Sequence, residues 1–463
     1  MKLSVRNLVP TITALIAVAA LVYWLTAAPA ESIVVRTPGL DKEGKISGPA
    51  VDLAGTLTKG PGQATLRPGS WPAFRGAAYN GISNENLPLQ RSFAAGPRKL
   101  WEVKLGEGYA GPVVHNGRVY MIDYDEHAKM DVLRCWSLDD GKEIWSRAYK
   151  VNIPRNHGIS RTVPAVNDKY VVSLGPKCHV ICCDAVTGEF KWGMDMVRQF
   201  GTVVPPWYAG QCPIIEQDRV ILAPGGSSLV IAVNIADGSI LWQTPNPRKW
   251  DMTHTTVLPI EFAGRRMYVY CGSGGVAGVD AATGQLLWDS TERKITTAAV
   301  ASPVWVAPDK LFLSGGYGTG AMMMQLTQQG DKIAAVPLYR LSPDVFGAEQ
   351  QTPIHYQGHI YGVIPGGMAV CLDEQGKVKW TSGGRNRYGI APYLIADGML
   401  ILINDSGVMT LAEASPGKFK IIASVDLFEE GHEAWGPLAL AGGRLLVRDM
   451  TRMVCVDLKK ETP

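Results

Sequence analysis

Two groups of residues in this chain have types suited to chemistry. The first is the thiol pair Cys182-Cys183, in the stretch CCDAVTGEFKW, with Cys178 and His179 just upstream. Adjacent cysteines can close a vicinal disulfide in an oxidising compartment, and Cys178, His179 and Cys182 are soft-metal ligand types. The spacing lacks the paired C-x-x-C arrangement of a strong metal motif, so no metal site is expected. The second group recurs just ahead of eight prolines, in segments rich in polar and aromatic side chains: GEGYAGP, NHGISRTVP, WYAGQCP, MTHTTVLP, TAAVASP, GAEQQTP, RYGIAP and HEAWGP. Within them His157, Arg161, Trp207, Tyr208, Gln211, His254, Gln350, Gln351, Arg387, Tyr388, Glu433 and Trp435 form a candidate ligand-binding set, with Tyr109, Thr256 and Glu349 beside them. Arginine pairs with carboxylates in a bidentate fork and tryptophan stacks on planar groups, so Arg161 or Arg387 with Trp207 or Trp435 suits a planar or anionic ligand. The competing reading is that these side chains satisfy their own turns and fill a channel.

What positions them is an internal repeat. Laid over itself, the chain gives RCWSLDDGKEIW ending at Trp145, VICCDAVTGEFKW at Trp192, IAVNIADGSILW at Trp242, AGVDAATGQLLW at Trp288 and AVCLDEQGKVKW at Trp380. Weaker copies surround Gly330 and Gly417, and MVCVDLKK stops at Lys460 without its Trp arm. That arm stands at the front, in PRKLWEVKL around Trp101. The copies recur about every 40–50 residues, the range of propeller blades. Proline fixes φ and lacks a donor, which suits the first residue of a strand, and Pro112, Pro164, Pro213, Pro259, Pro303, Pro353, Pro392 and Pro437 each open an apolar run.

The predicted fold is therefore all-β: an eight-bladed β-propeller of four-stranded antiparallel blades over residues 71–460. The strand around Trp101 is expected to complete the last blade and so close the ring. On this repeat Cys182 falls in a small-residue slot on the third strand, shared with Cys135, Ala232, Gly278, Cys371 and Cys455. Both cysteines then read as buried small hydrophobes, with Cys183 on the opposite face. Trp101, Trp145, Trp192, Trp242, Trp288 and Trp380 read as inter-blade docking residues.

The bulk numbers agree. The 463 residues include 51 Gly and 30 Pro, 46% hydrophobic and 19% charged residues, and a net charge of +3, with no basic run; a nucleic-acid partner is not expected. Lys2 and Arg6 precede an uncharged stretch, Leu8 to Ala30, long enough to span a bilayer. Residues 1–30 read as one N-terminal transmembrane helix with the propeller exported, and cleavage near Ala30 is the alternative. The first cysteine is Cys135, so no lipid attachment is expected near the helix. Residues 31–70 carry repeated Pro-Gly pairs and no sustained period, and read as a flexible linker.

The motif carried by Asp184, Thr187, Gly188 and Trp192, and again by Asp280, Thr283, Gly284 and Trp288, resembles the tryptophan-docking motif of pyrroloquinoline-quinone (PQQ)-type eight-bladed propellers. SWPAFRG, Ser70 to Gly76, is similar to a segment of exported PQQ-binding-like propellers of planctomycete-type bacteria, described as BamB-like. CCDAVTG is also similar to the adjacent-cysteine segment of methanol dehydrogenases, but here it occupies a repeat slot. The resemblance, taken with the N-terminal segment, the linker and the compact blades, leaves two main functional readings. One is a membrane-anchored periplasmic binding or scaffold protein at the inner membrane, with an envelope protein as partner. The other is a quinoprotein oxidoreductase using PQQ and Ca²⁺ on an alcohol or sugar. For the second, Glu349, Glu433, Gln350 and Asn156 are the evident cation-binding material, and Asp251 or Asp344 the candidate base.

Overall fold

The computed structural model describes residues 5–27, 49–93, 96–155, 157–295 and 297–460. The chain divides into two compact units, Met1–Thr37 and Pro38–Pro463. In the first, Val5–Ala27 is a helix containing Pro10. The expected membrane span is not borne out: among the described residues no helix is long and apolar enough to cross a membrane. Ala28-Pro29-Ala30 lies outside the described residues.

The second unit holds eight antiparallel sheets, the eight blades of a propeller. Blade 1 runs Val113–His115, Arg118–Asp125, Met130–Ser137 and Glu143–Lys150; blade 8 runs Ala439–Ala441, Arg444–Arg448 and Arg452–Asp457, and takes its outer strand, Arg98–Lys104, from the front of the chain. The ring is thus closed by antiparallel pairing of Trp101 with Cys455. Seven of the eight prolines immediately precede or nearly adjoin an innermost strand; Pro259 lies within Leu258–Phe262.

One turn shows why the repeat has its form. The Asp184 carboxylate accepts from the backbone N–H of Val186 (3.0 Å) and Thr187 (2.8 Å). Gly188 then donates its N–H to the Asp184 carbonyl at φ +73°, a conformation that favours glycine. That turn is also a landing pad. A methyl group on Gly188 would come within 2.6 Å of the Trp145 indole of the preceding blade. Trp101 lies on Gly141, Trp192 on Gly238 and Trp242 on Gly284 in the same way. The indole N–H of Trp101, Trp192 and Trp380 each donates to a carbonyl of the next blade, Leu138, Ile235 and Ser415, at 2.7–2.9 Å. Trp288 packs at the seam between blades 4 and 5 with Leu311, Met322 and Met324. Burying an indole removes about 150–250 Å² from water, roughly 4–6 kcal/mol of gross hydrophobic stabilisation.

The small slot has the same cause. Across each outer pair of strands the tryptophan faces a small residue: Trp145 opposes Cys135, Trp192 opposes Cys182, Trp242 opposes Ala232, Trp288 opposes Gly278 and Trp380 opposes Cys371. Cys182 and Cys183 are buried free thiols that fall in different seams, as strand alternation requires.

Two segments outside the repeat add to the ring. Within the stretch read as linker, Thr56–Lys59 is a fifth strand paired with the outer strand of blade 1, and Val51, Leu53 and Leu57 pack on the core. Residues 71–83 close the far end of the channel. Trp71 bridges Val114 in blade 1 and Ile82 bridges Ile395 in blade 7. Arg75 donates to the carbonyls of Thr352 (2.6 Å) and Pro353 (2.8 Å) in blade 6, and the Tyr79 hydroxyl to Ile215 in blade 3.

Trp145→Ala is expected to cost on the order of 3–5 kcal/mol in urea unfolding, because a fully buried indole leaves a cavity. A paired test isolates docking from backbone strain. Gly188 and Gly330 both hold positive φ, but nothing lies within 4 Å of a methyl group on Gly330. Gly330→Ala should cost about 1–2 kcal/mol and Gly188→Ala clearly more; equal costs would contradict the docking geometry.

Candidate functional site

The segments ahead of the innermost strands converge on one mouth of the channel and are tied to one another. The Tyr109 N–H donates to the Ser160 carbonyl, at 2.6 Å, and the His254 N–H to the Ala299 carbonyl, at 3.0 Å. Beneath them runs a belt from blade 2 to blade 6. The N–H of Val163 donates to Cys212 Sγ (3.2 Å), that of Cys212 to Thr256 Oγ1 (3.1 Å), that of Thr256 to Ser302 Oγ (2.9 Å), and that of Ser302 to Thr352 Oγ1 (2.9 Å). Each small hydroxyl or thiol satisfies a buried donor that proline spacing leaves unpaired.

Above the belt lies a cavity of about 360 Å³. Its wall includes His157, Arg161, Trp207, His254, Gln350, Gln351 and Trp435 from the sequence-selected set, together with Tyr109, and the closing segment contributes Phe74. Tyr109, His157 and Trp435 form an aromatic cluster with centroids 5.1–5.8 Å apart. The Tyr109 hydroxyl donates to Glu433 and lies 3.1 Å from His157 Nδ1. Burial, then that bond to Glu433, pushes the phenol well above its usual range. Trp435 is fixed by its indole N–H, which donates to Asp405 at 2.8 Å, and its carbonyl accepts from Gln351 at 3.1 Å.

Arg161 supplies the charge. Its guanidinium sits 5.0 Å from the centroid of the Tyr109 ring and donates through Nε to the Trp207 carbonyl. Nη2 has no partner among the described residues. Burial lowers its pKa to about 10, so it stays cationic at neutral pH. The Trp207 and Tyr208 backbones hold φ of 62° and 74°, a conformation costing roughly 1–2 kcal/mol per non-glycine residue. His254 is pushed down to about 4, first by burial and then by the Arg161 charge, so it is neutral at pH 7.

Four members of the set do other work. Tyr208 donates its hydroxyl to the Pro154 carbonyl. Gln211 is fully buried and bonds both polar groups of Ala223. Arg387 caps the carbonyls of Gly384 and Gly366, and Tyr388 is buried against Phe419. Tyr317 also lines the cavity. It lies in the Gly-rich turn after Lys310–Gly315 rather than ahead of a proline, and its signal was an aromatic flanked by glycines in GGYGTG.

This arrangement suits recognition of a planar anion more than turnover. Cys212, the thiol on the wall, is pushed up to about 11 by burial and already accepts a hydrogen bond, so it is no nucleophile. Of the donors read as cation-binding material, Gln350 lines the cavity, while Glu349 and Glu433 do not. Among the described residues no group of three or more His, Cys, Asp or Glu could hold a metal. Asp251 and Asp344 are exposed and neither lines the cavity; Asn156 lies outside the described residues.

A protein family described as outer membrane protein assembly factor BamB matches residues 128–363. A BamB of Moranella endobia is 22% identical over 336 residues, 69% of this chain and 70% of that protein. Among solved structures, BamB from Moraxella catarrhalis has a TM-score of 0.53 at 14% identity, covering 78% of this chain and all of that one. The computationally designed Ika8 protein has a TM-score of 0.52 at 11% identity and covers 78% of this chain. At these identities the structural likenesses speak to the fold alone.

Thr256→Val should cost about 1–3 kcal/mol, since it strands the buried Cys212 N–H without removing volume. His254 gives a pH signature. Its folded pKa, about 4, lies below its ordinary 6.5, so the unfolded chain binds the proton first. Stability from the neutral ring is complete above about pH 6.5 and is lost as pH falls through about 4. His254→Gln should flatten the acid limb of a stability-against-pH curve; an unchanged limb would contradict the buried, neutral assignment.

Proposed function

Because the chain belongs to the family of the outer membrane protein assembly factor BamB, we propose that it is an envelope propeller acting as a binding or scaffold protein. Its mouth cavity is the surface that engages a ligand or partner. The observation that carries this reading is the chemistry of that cavity: a cation with no ion pair to a carboxylate among the described residues and fixed aromatic walls, with a neutral histidine and a protonated thiol where an enzyme would need an activated group. The name of the relatives, an outer membrane protein assembly factor, points to a component of outer-membrane assembly as the partner class.

The uncharged run from Leu8 to Ala30, preceded by Lys2 and Arg6, supports N-terminal anchoring in the inner membrane with the propeller on the periplasmic side. Cleavage near Ala30 is the other outcome. Carbonate extraction of membranes separates them. An anchored chain stays in the pellet at full length, and a shortened chain beginning near Glu31 in the soluble fraction would overturn the anchor.

Site-specific photocrosslinking in intact envelopes tests the function. A photoreactive residue at Trp207 is expected to give a discrete adduct. One at Leu241, exposed on the outer strand of blade 3, should not. Adducts from Leu241 alone would move the binding surface to the blade edges. Dye-coupled alcohol oxidation by the purified chain would overturn the non-enzymatic reading.

A further inference from the structure

Among the described residues three arginines lie nearly wholly buried in the propeller: Arg147 and Arg293, each 7% exposed, and Arg448 at 0%. A buried guanidinium must exchange water for other acceptors. Arg448 does so through the carbonyls of Asp449, Met450, Gly106 and Ala110. Arg147 does so through those of Gly188 and Ala54. Arg293 differs. Its Nη2 is buried without a hydrogen-bond partner among the described residues. The nearby carboxylates are already engaged: Glu292 by Arg340, which also caps the Glu292 carbonyl at 2.9 Å, and Asp289 by Arg248. Burial lowers the Arg293 pKa to about 10, and the charge of Arg340 pushes the same way, so the group remains a cation facing a second cation.

This side chain lines a cleft of about 290 Å³ between blades 4 and 5. The loop after Leu286–Ser290 brings Glu292, Arg293 and Lys294. The hairpin of blade 5 brings Thr319 and Arg340, and Ser342 follows it. Ala321, Met322, Leu341 and Pro343 make the rest of the wall apolar. Three cations stand against one carboxylate, with two hydroxyls. That balance suits a dianionic group with several terminal oxygens, which arginine forks and hydroxyls recognise together. The apolar remainder leaves room for an organic substituent.

We propose that the cleft between blades 4 and 5 is a binding site for a phosphate ester, with Arg293 as the buried anchor of the phosphate and Lys294, Arg340, Thr319 and Ser342 around it. The site is separate from the mouth cavity and does not rest on the function proposed for it.

Isothermal titration of the full chain in detergent with inorganic phosphate, glycerol 3-phosphate and dihexanoyl-phosphatidic acid tests the proposal at constant ionic strength. Saturable binding of at least one at millimolar concentration is expected, weakened about tenfold or more by Arg293→Gln, the loss of a charged hydrogen-bond set. Lys294→Gln, at an exposed position, should weaken it several-fold and guards against a folding defect in the first variant. Lys332→Gln, exposed at the far end of the same hairpin, should not. A preference for the lipid marks a headgroup as the source, and a preference for the two soluble compounds marks a free phosphate. Absence of saturable binding, or binding that Arg293→Gln and Lys294→Gln leave unchanged, would overturn the site and assign Arg293 to ordered water.

Discussion

The seam between neighbouring blades is the constraint on which the rest depends. Each four-stranded sheet satisfies its own interior hydrogen bonds but cannot bury both faces alone. At four seams the outer-strand tryptophan, Trp101, Trp145, Trp192 or Trp242, therefore lies on the turn glycine of the next blade, and the residue opposite it is small. One seam is thus written in three places of the sequence: an indole, a glycine at positive φ, and a cysteine, alanine or glycine slot. Closure by Arg98–Lys104 in blade 8 makes the last seam equivalent to the others.

The mouth follows from that ring. Its loops are tied to one another by the belt from Val163 to Thr352. Low-dielectric surroundings then act on each group according to its partners. Arg161 keeps its proton, His254 loses its own, and Tyr109 is held as a phenol by burial and Glu433. A positive, aromatic-walled cavity results, closed at the far end of the channel by residues 71–83.

The repeat was legible because it is local: Asp, Thr, Gly and Trp meet within one turn and one strand, and six copies outvote the two weak ones around Gly330 and Gly417. The segments that lie across the ring were not. Trp71, Arg75 and Ile82 reach backbone groups of blades 1, 6 and 7, and such long-range contacts leave no period. Thr56–Lys59 is strand because blade 1 offers it an edge, not because TLTK prefers to be strand. Position ahead of a proline located the loops of the mouth but not the direction of each side chain. Arg161 and Arg387 occupy similar places; one lines the cavity and the other caps the Gly384 carbonyl of its own loop and the Gly366 carbonyl of a turn within blade 6. The cysteines read correctly as packing residues because their slot recurs with Ala232 and Gly278.

The proposal that this cavity recognises rather than oxidises rests on the groups that line it, which include Gln350 but neither Glu349 nor Glu433. Tryptophan-fluorescence titration of the full chain with PQQ, with and without Ca²⁺, tests it most directly, because Trp207 and Trp435 form the wall. The account predicts no saturable quenching that requires Ca²⁺. Saturable, Ca²⁺-dependent quenching at micromolar PQQ would contradict it and return the chain to the quinoprotein oxidoreductases.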